Sequence, residues 1–385
     1  MELNIDKTGW KKVKFGEVCR QVNETARNHE EEELTHVVGL EHIGSNDLHI
    51  RSWNTPERET TFTRKFVKGQ VLFGRRRAYQ AKVAYAEFDG ICSGDILVFE
   101  AIKSKLLPEL LPFMVQSQKF YNKAVETSAG SLSPRTKFKD LADLEFLLPP
   151  KGQQACLAEL LWAADEVVER EMEVKKKLEN IFEISKTKLL WSNSFPMIDF
   201  KDITPIGLKD GDWIESKDQS DSGIRLIQLA DIGEGFFLDK SNRFISEDTF
   251  KKLHCFEIKP RDILLARMPD PIGRSCIMPH IKTKSITAVD VCIIRIDEGN
   301  SNVEYVNYLI NTIQLRSKII ELSSGTTRQR ISKLNLGNIK IPMPSKLTQD
   351  RIANQISVVE QNLKSLIYNI DFSNRLKQGF INEIF

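Results

Sequence analysis

Short apolar runs recur along the chain, each closed by turn-forming residues. VVGLEHI from Val37, QVLFGR from Gln70, GDILVFE from Gly94, RLIQLADI from Arg225, DILLAR from Asp262 and VDVCIIRI from Val289 are rich in Val, Ile and Leu. They predict short strands, because branched side chains suit a pleated surface. Segments such as SND, KPRD and EGN bound them and predict turns. LLPELLPFMVQSQKFYNKAVE from Leu106 and NVEYVNYLINTIQLRSKIIEL from Asn302 carry helical spacing.

Two longer stretches have a different rhythm. From about Gln153 to Trp191 there is neither Pro nor Gly; from about Thr348 to Phe385 there is only Gly379. Apolar residues follow a heptad in each: Leu157, Leu161, Ala164, Val168, Leu178, Phe182 and Leu189 in the first, Ile352, Ile356, Val359, Leu363, Leu366 and Ile370 in the second. Glu171 and Lys175 interrupt the first; Ser373 and Lys377 interrupt the second before Phe380 and Ile384 resume it. This pattern predicts a coiled-coil seam, with Leu157, Leu161, Val168, Leu178, Phe182, Ile352, Ile356, Val359, Leu363, Leu366 and Ile370 as its knobs.

The chain repeats itself. GSLSPRTKFKDLADLEFLLPPKGQQ from Gly130 matches GTTRQRISKLNLGNIKIPMPSKLTQ from Gly325, so that Arg135 meets Arg330, Pro149 meets Pro344 and Gln154 meets Gln349. Val13 pairs with Ile198, Val37 with Leu226 and Val71 with Ile263, in unbroken order. The separation of matched residues widens steadily toward the C-terminus, as slightly longer loops in a second copy of one fold would give.

The expected fold class is α+β: two tandem strand-rich α/β heads, separated by two long helices that form an antiparallel coiled coil with pseudo-twofold symmetry. The expected division is a first head at 1–150, a first spacer helix at 151–192, a second head at 193–345 and a second spacer helix at 346–385. Parallel helices would crowd both heads at one end and require a long return linker, so the antiparallel arrangement is expected. A helix of about 39 residues spans roughly 58 Å at ~1.5 Å per residue. Heads that far apart could address sites one to two turns of B-DNA from each other, at about 34 Å per turn.

Composition narrows the function classes. At 385 residues, 41% hydrophobic and 28% charged, the chain suits a globular protein of two or more domains. It has no apolar run near the length of a membrane span and no apolar signal region at MELNIDKTGW. Its six cysteines, Cys19, Cys92, Cys156, Cys255, Cys276 and Cys292, have neither zinc-ribbon nor redox-pair spacing, so a reduced cytoplasm is expected. Net charge is only +2, which moves the question to where the charges lie.

They lie in matched places. Arg64, Lys65, Lys68, Arg75, Arg76, Arg77 and Lys82 occur with no acidic residue between them, and Tyr79 and Gln80 sit among them. The second copy offers Arg261, Arg267, Arg274, Lys282 and Lys284, with His280, in the equivalent region. The Gly-containing loops add Arg135, Lys137 and Lys139 in one copy and Arg328, Gln329, Arg330 and Lys333 in the other. Lys and Arg with amide and hydroxyl donors suit phosphates, while Arg reads guanine and Gln reads adenine. Of these, Arg64, Lys65, Arg75, Arg76, Arg77, Tyr79, Gln80, Lys82, Arg135, Lys137, Arg267, Arg274, Lys282, Arg328, Gln329, Arg330 and Lys333 are the expected DNA contacts. Arg135 and Arg330 have an equally open alternative, an ion pair to an acidic residue inside each head. The acidic run Glu30 to Glu33 is read as a solvated loop facing away from DNA.

Catalytic signatures are missing. There is no Asn-Pro-Pro-aromatic motif and no Gly-x-Gly-x-x-Gly loop, as a DNA adenine methyltransferase would need. The triplets Glu257-Ile258-Lys259 and Glu173-Val174-Lys175 have the Glu-x-Lys form of part of a nuclease motif, but such triplets arise often by chance in a charged chain and the second lies on an expected helix, so no catalytic role is expected of either. The histidines have no ligand spacing, so no metal is expected.

Two diverged heads, two long helices, and LLPP or IPMP followed by Gln at each helix start resemble the specificity (S) subunits of type I restriction-modification systems, over essentially the whole chain. That resemblance implies a non-catalytic subunit whose heads are target recognition domains reading the two halves of a split double-stranded DNA target. It implies partners: two methyltransferase (M) subunits held by the helices, and restriction (R) subunits joining them. It implies S-adenosylmethionine on the M subunit and no cofactor on this chain. The alternative of another class is a two-headed scaffold that binds proteins.

Overall fold

A computed structural model describes residues 5–26, 34–55, 61–269, 271–325 and 328–385. The acidic run Glu30 to Glu33 lies outside them. The chain forms two compact units, one of residues 1–174 with 366–385, the other of residues 175–365.

Both units are built on the same sheets. In the first, a four-stranded antiparallel sheet runs in the order Cys19–Val22, Ile96–Ala101, Val71–Gly74, Val83–Tyr85. In the second the order is Lys209–Asp210, Val291–Ile294, Ile263–Ala266, Ser275–Ile277. Beside it a parallel pair recurs, Val37–Val38 with Gly90–Cys92 and Ile224–Ile227 with Ser285–Thr287. A two-stranded ladder ends each unit: Lys11–Lys14 with Glu145–Leu148, and Met197–Asp199 with Lys340–Pro342. The central strands of the four-stranded sheets are buried along their length, which is why they read as continuous apolar runs.

Helices cover these sheets. Gln118–Glu126 begins at Ser117, whose hydroxyl accepts the Phe120 amide at 3.2 Å; Ile313–Glu321 begins at Thr312, whose hydroxyl accepts the Leu315 amide at 3.4 Å. The cap and the first buried side chain occupy the same place in both copies. The cores differ. In the first unit Phe15, Phe73, Phe99 and Phe120 meet edge-on or stacked, with ring centroids 5.0 Å apart for Phe15 and Phe120 and 5.2 Å for Phe73 and Phe120. In the second, Phe200 keeps the place of Phe15, while Leu265, Ile294 and Leu315 take the other three.

The long helices are Lys151–Leu190 and Lys346–Ile384. Each is fastened to its unit by a buried glutamine. Gln154 accepts the Leu107 amide at 2.8 Å and donates to the carbonyls of Pro149 and Lys105 at 3.0 and 3.1 Å. Gln349 accepts the Asn302 amide at 2.9 Å and donates to the Pro344 carbonyl at 2.8 Å. The proline turn supplies one acceptor in both cases.

The heptad residues are buried or half-buried along both helices. Leu157 and Leu161 share the first unit's core with Phe380, Ile381 and Ile384; Phe182 shares the second unit's core with Ile352, Ile356, Val359 and Leu363. Lys377, read from sequence as an interruption, corrects that reading. It is buried, and its ammonium lies 2.8 Å from buried Asp165. Asp165 also meets His49 Nε2 at 2.8 Å, and His49 Nδ1 meets Glu87 at 2.9 Å. No helix of the described residues is long and apolar enough to cross a membrane.

Candidate nucleic-acid interface

In the first unit the strand Val71–Gly74 runs into Arg75, whose amide donates to the Asp95 carbonyl at 2.9 Å and whose carbonyl accepts from Thr136 at 3.1 Å. A tight turn follows. Arg77 and Ala81 flank the 3-10 turn Ala78–Gln80, both left-handed at φ 53° and 50°, so the turn is held in a conformation that side chains rarely choose. A second loop leans on it. Ala129 and Arg135 exchange hydrogen bonds at 3.1 and 3.0 Å around Gly130, at φ +116°, and the Pro134 carbonyl accepts from Arg77 at 2.9 Å.

The side chains bind the two loops together. Arg135 grips Asp95 with two bonds of 2.6 and 3.1 Å. Arg76 donates to the Ser133 hydroxyl at 2.9 Å and lies 3.6 Å from Asp95. The hydrogen bonds from Arg135 hold the Asp95 carboxyl below the usual carboxylate range against the opposing effect of burial. Arg64 donates to the carbonyls of Gly94 and Ile96. Exposed on this platform stand Arg77, Tyr79 and Lys137, with Tyr79 63% accessible.

The second unit repeats the scaffold. Arg267 donates its amide to the Asp290 carbonyl at 2.9 Å and accepts from Ile331 at 3.2 Å; Ser324 and Arg330 exchange bonds of 3.0 and 2.8 Å around Gly325. Arg330 and Arg267 both donate to the Val289 carbonyl, at 2.9 and 3.0 Å. Arg330 lies 3.6 Å from Asp290, Arg267 2.8 Å from Asp210, and Lys333 3.1 Å from Asp210.

The structure therefore divides the expected contacts. Arg64, Arg75, Arg76, Arg77, Tyr79, Gln80, Arg135 and Lys137 belong to one platform or its flank in the first unit. Lys65 lies on the neighbouring strand Arg64–Phe66, and Lys82 reaches the Leu40 carbonyl at 2.5 Å. In the second unit Arg328, Gln329, Lys333 and Lys282 are exposed, and Arg330 is partly buried. Arg267 and Arg274 correct the expectation. Both are buried, and the Arg274 guanidinium donates to the carbonyls of Ile232, Pro271 and Leu229 at 2.8, 2.8 and 2.9 Å. An arginine serving its own backbone looks the same in sequence as one serving a phosphate. For Arg135 and Arg330 the internal ion pair is what forms. Their partners Asp95 and Asp290 were missed, although the two align as Arg135 and Arg330 do. Among the described residues, no group of three or more His, Cys, Asp or Glu could hold a metal ion.

Known proteins place this geometry. Residues 7–180 and 169–370 each match the family described as Type I restriction modification DNA specificity domain. The chain is 21% identical over 292 residues to the Type I restriction enzyme MjaVIII specificity subunit of Methanocaldococcus jannaschii, across 70% of this chain and 68% of that one. It is 27% identical over 143 residues to the EcoDI specificity subunit of Escherichia coli, a match spanning 34% of this chain and 31% of that one. In fold it resembles a chain solved in work on complex assembly and conformational transition of the type I R-M system, at a TM-score of 0.67 and 19% identity over 98% of this chain and 97% of that one. It also resembles the HsdS subunit from Thermoanaerobacter tengcongensis, at a TM-score of 0.53 and 19% identity over the same shares. Two tandem units with one Arg–Asp platform each, matched by two copies of one domain family, have a single reading: the chain belongs to the type I restriction-modification specificity subunits, which give such systems their DNA sequence specificity.

Proposed function

We propose that each unit reads one half of a split double-stranded DNA target and that the bases between the halves go unread. The observation that carries this is the duplication of the platform itself: two loops clasped by Arg and Asp, with exposed cations and amides, built twice on one scaffold. The two long helices pair antiparallel and set the distance between the halves. Contacts inside the first unit support that direction. Asp165 meets Lys377, whereas the later residues Val168 and Met172 line a cavity of about 450 Å³ with the earlier residues Asp371 and Asn374. The outer faces of the helices hold two methyltransferase subunits, restriction subunits join these, and S-adenosylmethionine is bound by the methyltransferase subunit. This chain itself performs no chemistry; its work is recognition.

The test is methylation-site mapping of host DNA with and without this protein. A split motif that disappears with the protein is expected. An unchanged methylation map, together with duplex binding that ignores salt, would replace DNA reading by a protein-binding scaffold.

A further inference from the structure

The duplicated platform is not electrically the same in its two copies. Around Asp95 in the first unit gather four guanidinium groups, those of Arg64, Arg75, Arg76 and Arg135. Asp95 answers Arg135 directly and Arg76 at longer range. Arg64 is met by carbonyls, which accept its protons without cancelling its charge. The Arg75 guanidinium makes no hydrogen bond or ion pair among the described residues, and its Nε is sealed from solvent with no acceptor. Burial, with Arg64 and Arg135 beside it, pushes its pKa down against the pull of Asp95.

In the second unit the same place has fewer cations and one more carboxylate, although the Arg267 Nε is sealed without an acceptor as the Arg75 Nε is. Arg267 stands where Arg75 does, but Met268 replaces Arg76 and Phe256 replaces Arg64. Asp210 adds a second carboxylate, 2.8 Å from Arg267 and 3.1 Å from Lys333. The strand register shows what the first unit has instead. Asp210 faces Cys292; in the first unit Val22 faces Val98, so the next residue, Asn23, takes the position of Asp210 opposite Leu97. Asn23 is neutral, and its side-chain oxygen already accepts from Gln21 at 2.6 Å.

We infer that the first unit binds a phosphate of the DNA backbone at Arg75, within the Arg64, Arg76 and Arg135 cluster, and that the second unit has exchanged the equivalent site for an internal ion pair. The inference rests on the proposal that the platforms face DNA. A surplus of several positive charges beside one carboxylate calls for a full negative charge, which a phosphate brings and a base edge does not. A guanidinium also meets phosphate oxygens through charge-assisted, two-pronged hydrogen bonds.

The experiment is a salt titration of duplex binding, on DNA carrying the mapped target, using the full chain assembled with its methyltransferase subunits. Each neutralised phosphate contributes about 0.9 to the slope of log affinity against log salt. Arg75→Gln is expected to lower the slope by about one unit, with affinity reduced several-fold at low salt and the deficit narrowing as salt rises. Arg75→Lys keeps most of the slope. Asn23→Asp, which gives the first unit the carboxylate of the second, reproduces Arg75→Gln without touching an arginine. Arg267→Gln lowers the thermal stability and leaves the slope as it was. An unchanged slope in both Arg75→Gln and Asn23→Asp overturns the site. So does a loss confined to one guanine of the target with the slope intact, since that is base reading. A wild-type complex that binds no duplex in a salt-dependent way refutes the DNA-facing proposal itself, and the phosphate site with it. Free phosphate that competes at the level expected from its ionic strength alone marks the backbone phosphate as the ligand; specific competition by free phosphate in the millimolar range assigns the site to a small anion and overturns the inference.

Discussion

The most exposed consequence of single side chains is the ion cluster at His49, Asp165 and Lys377. The hydrogen bond to Asp165 raises the His49 pKa to about 9, against the effect of its burial, and Glu169 and Glu87 add to the rise. Asp165 stays below the ordinary carboxylate range although burial opposes it, because His49 and Lys377 face it. A histidine with a raised folded pKa contributes stability that is complete below its unfolded value of about 6.5. That contribution is lost as pH climbs through about 9. Unfolding midpoints in denaturant should therefore fall between these two pH values in the native chain, and the fall should be much smaller in His49→Gln. A native chain with a flat profile across that window would show that folding does not raise the pKa of His49. Lys377→Met leaves a buried carboxylate with one partner fewer and should cost about 3 kcal/mol of unfolding free energy; a change within about 0.5 kcal/mol, the usual range for surface substitutions, would mean the pair is dispensable.

At the scale of elements, the buried glutamines join each long helix to its unit. Gln154→Ala strands the Leu107 amide and two carbonyls, and a loss of about 2 to 3 kcal/mol is expected for buried groups left unpaired, read from the thermal midpoint. Gln154→Glu should be only partly tolerated, since it keeps the acceptor for Leu107 and removes the donor. Elements were also where sequence was most informative. Strands such as Val71–Gly74 and Ile263–Ala266 announced themselves as apolar runs, and both long helices by their heptads. Periodicity says which face is buried, not what a buried polar residue does there, so Lys377 read as a break and turned out to be a buried partner of Asp165. The platforms were half legible for the same reason. The cationic residues stood out as clusters, but whether an arginine turns outward or toward its own carbonyls depends on contacts far apart in sequence. Arg274 with Leu229 and Ile232 is such a case, and so is Arg135 with Asp95.

For the whole molecule the testable quantity is length. If paired helices space the two half-targets, inserting one heptad in each helix adds about 10 Å at ~1.5 Å per residue, and the unread stretch should grow by about three base pairs at roughly 3.4 Å each. Methylation mapping of the insertion variant reads this directly; the original spacing, or loss of both half-targets with folding intact, would remove the helices from the measurement of distance.

The glutamine joint has a further consequence. Gln154 and Gln349 hold main-chain amides and carbonyls and almost nothing else. Such a fastening is indifferent to which side chains the attached domain carries, provided its backbone arrives in the same place. The phenylalanine core of the first unit and the leucine and isoleucine core of the second are already two tenants of one mounting. A lineage under pressure to change its target can therefore trade one whole domain for another by recombination and leave the fitting that receives it untouched.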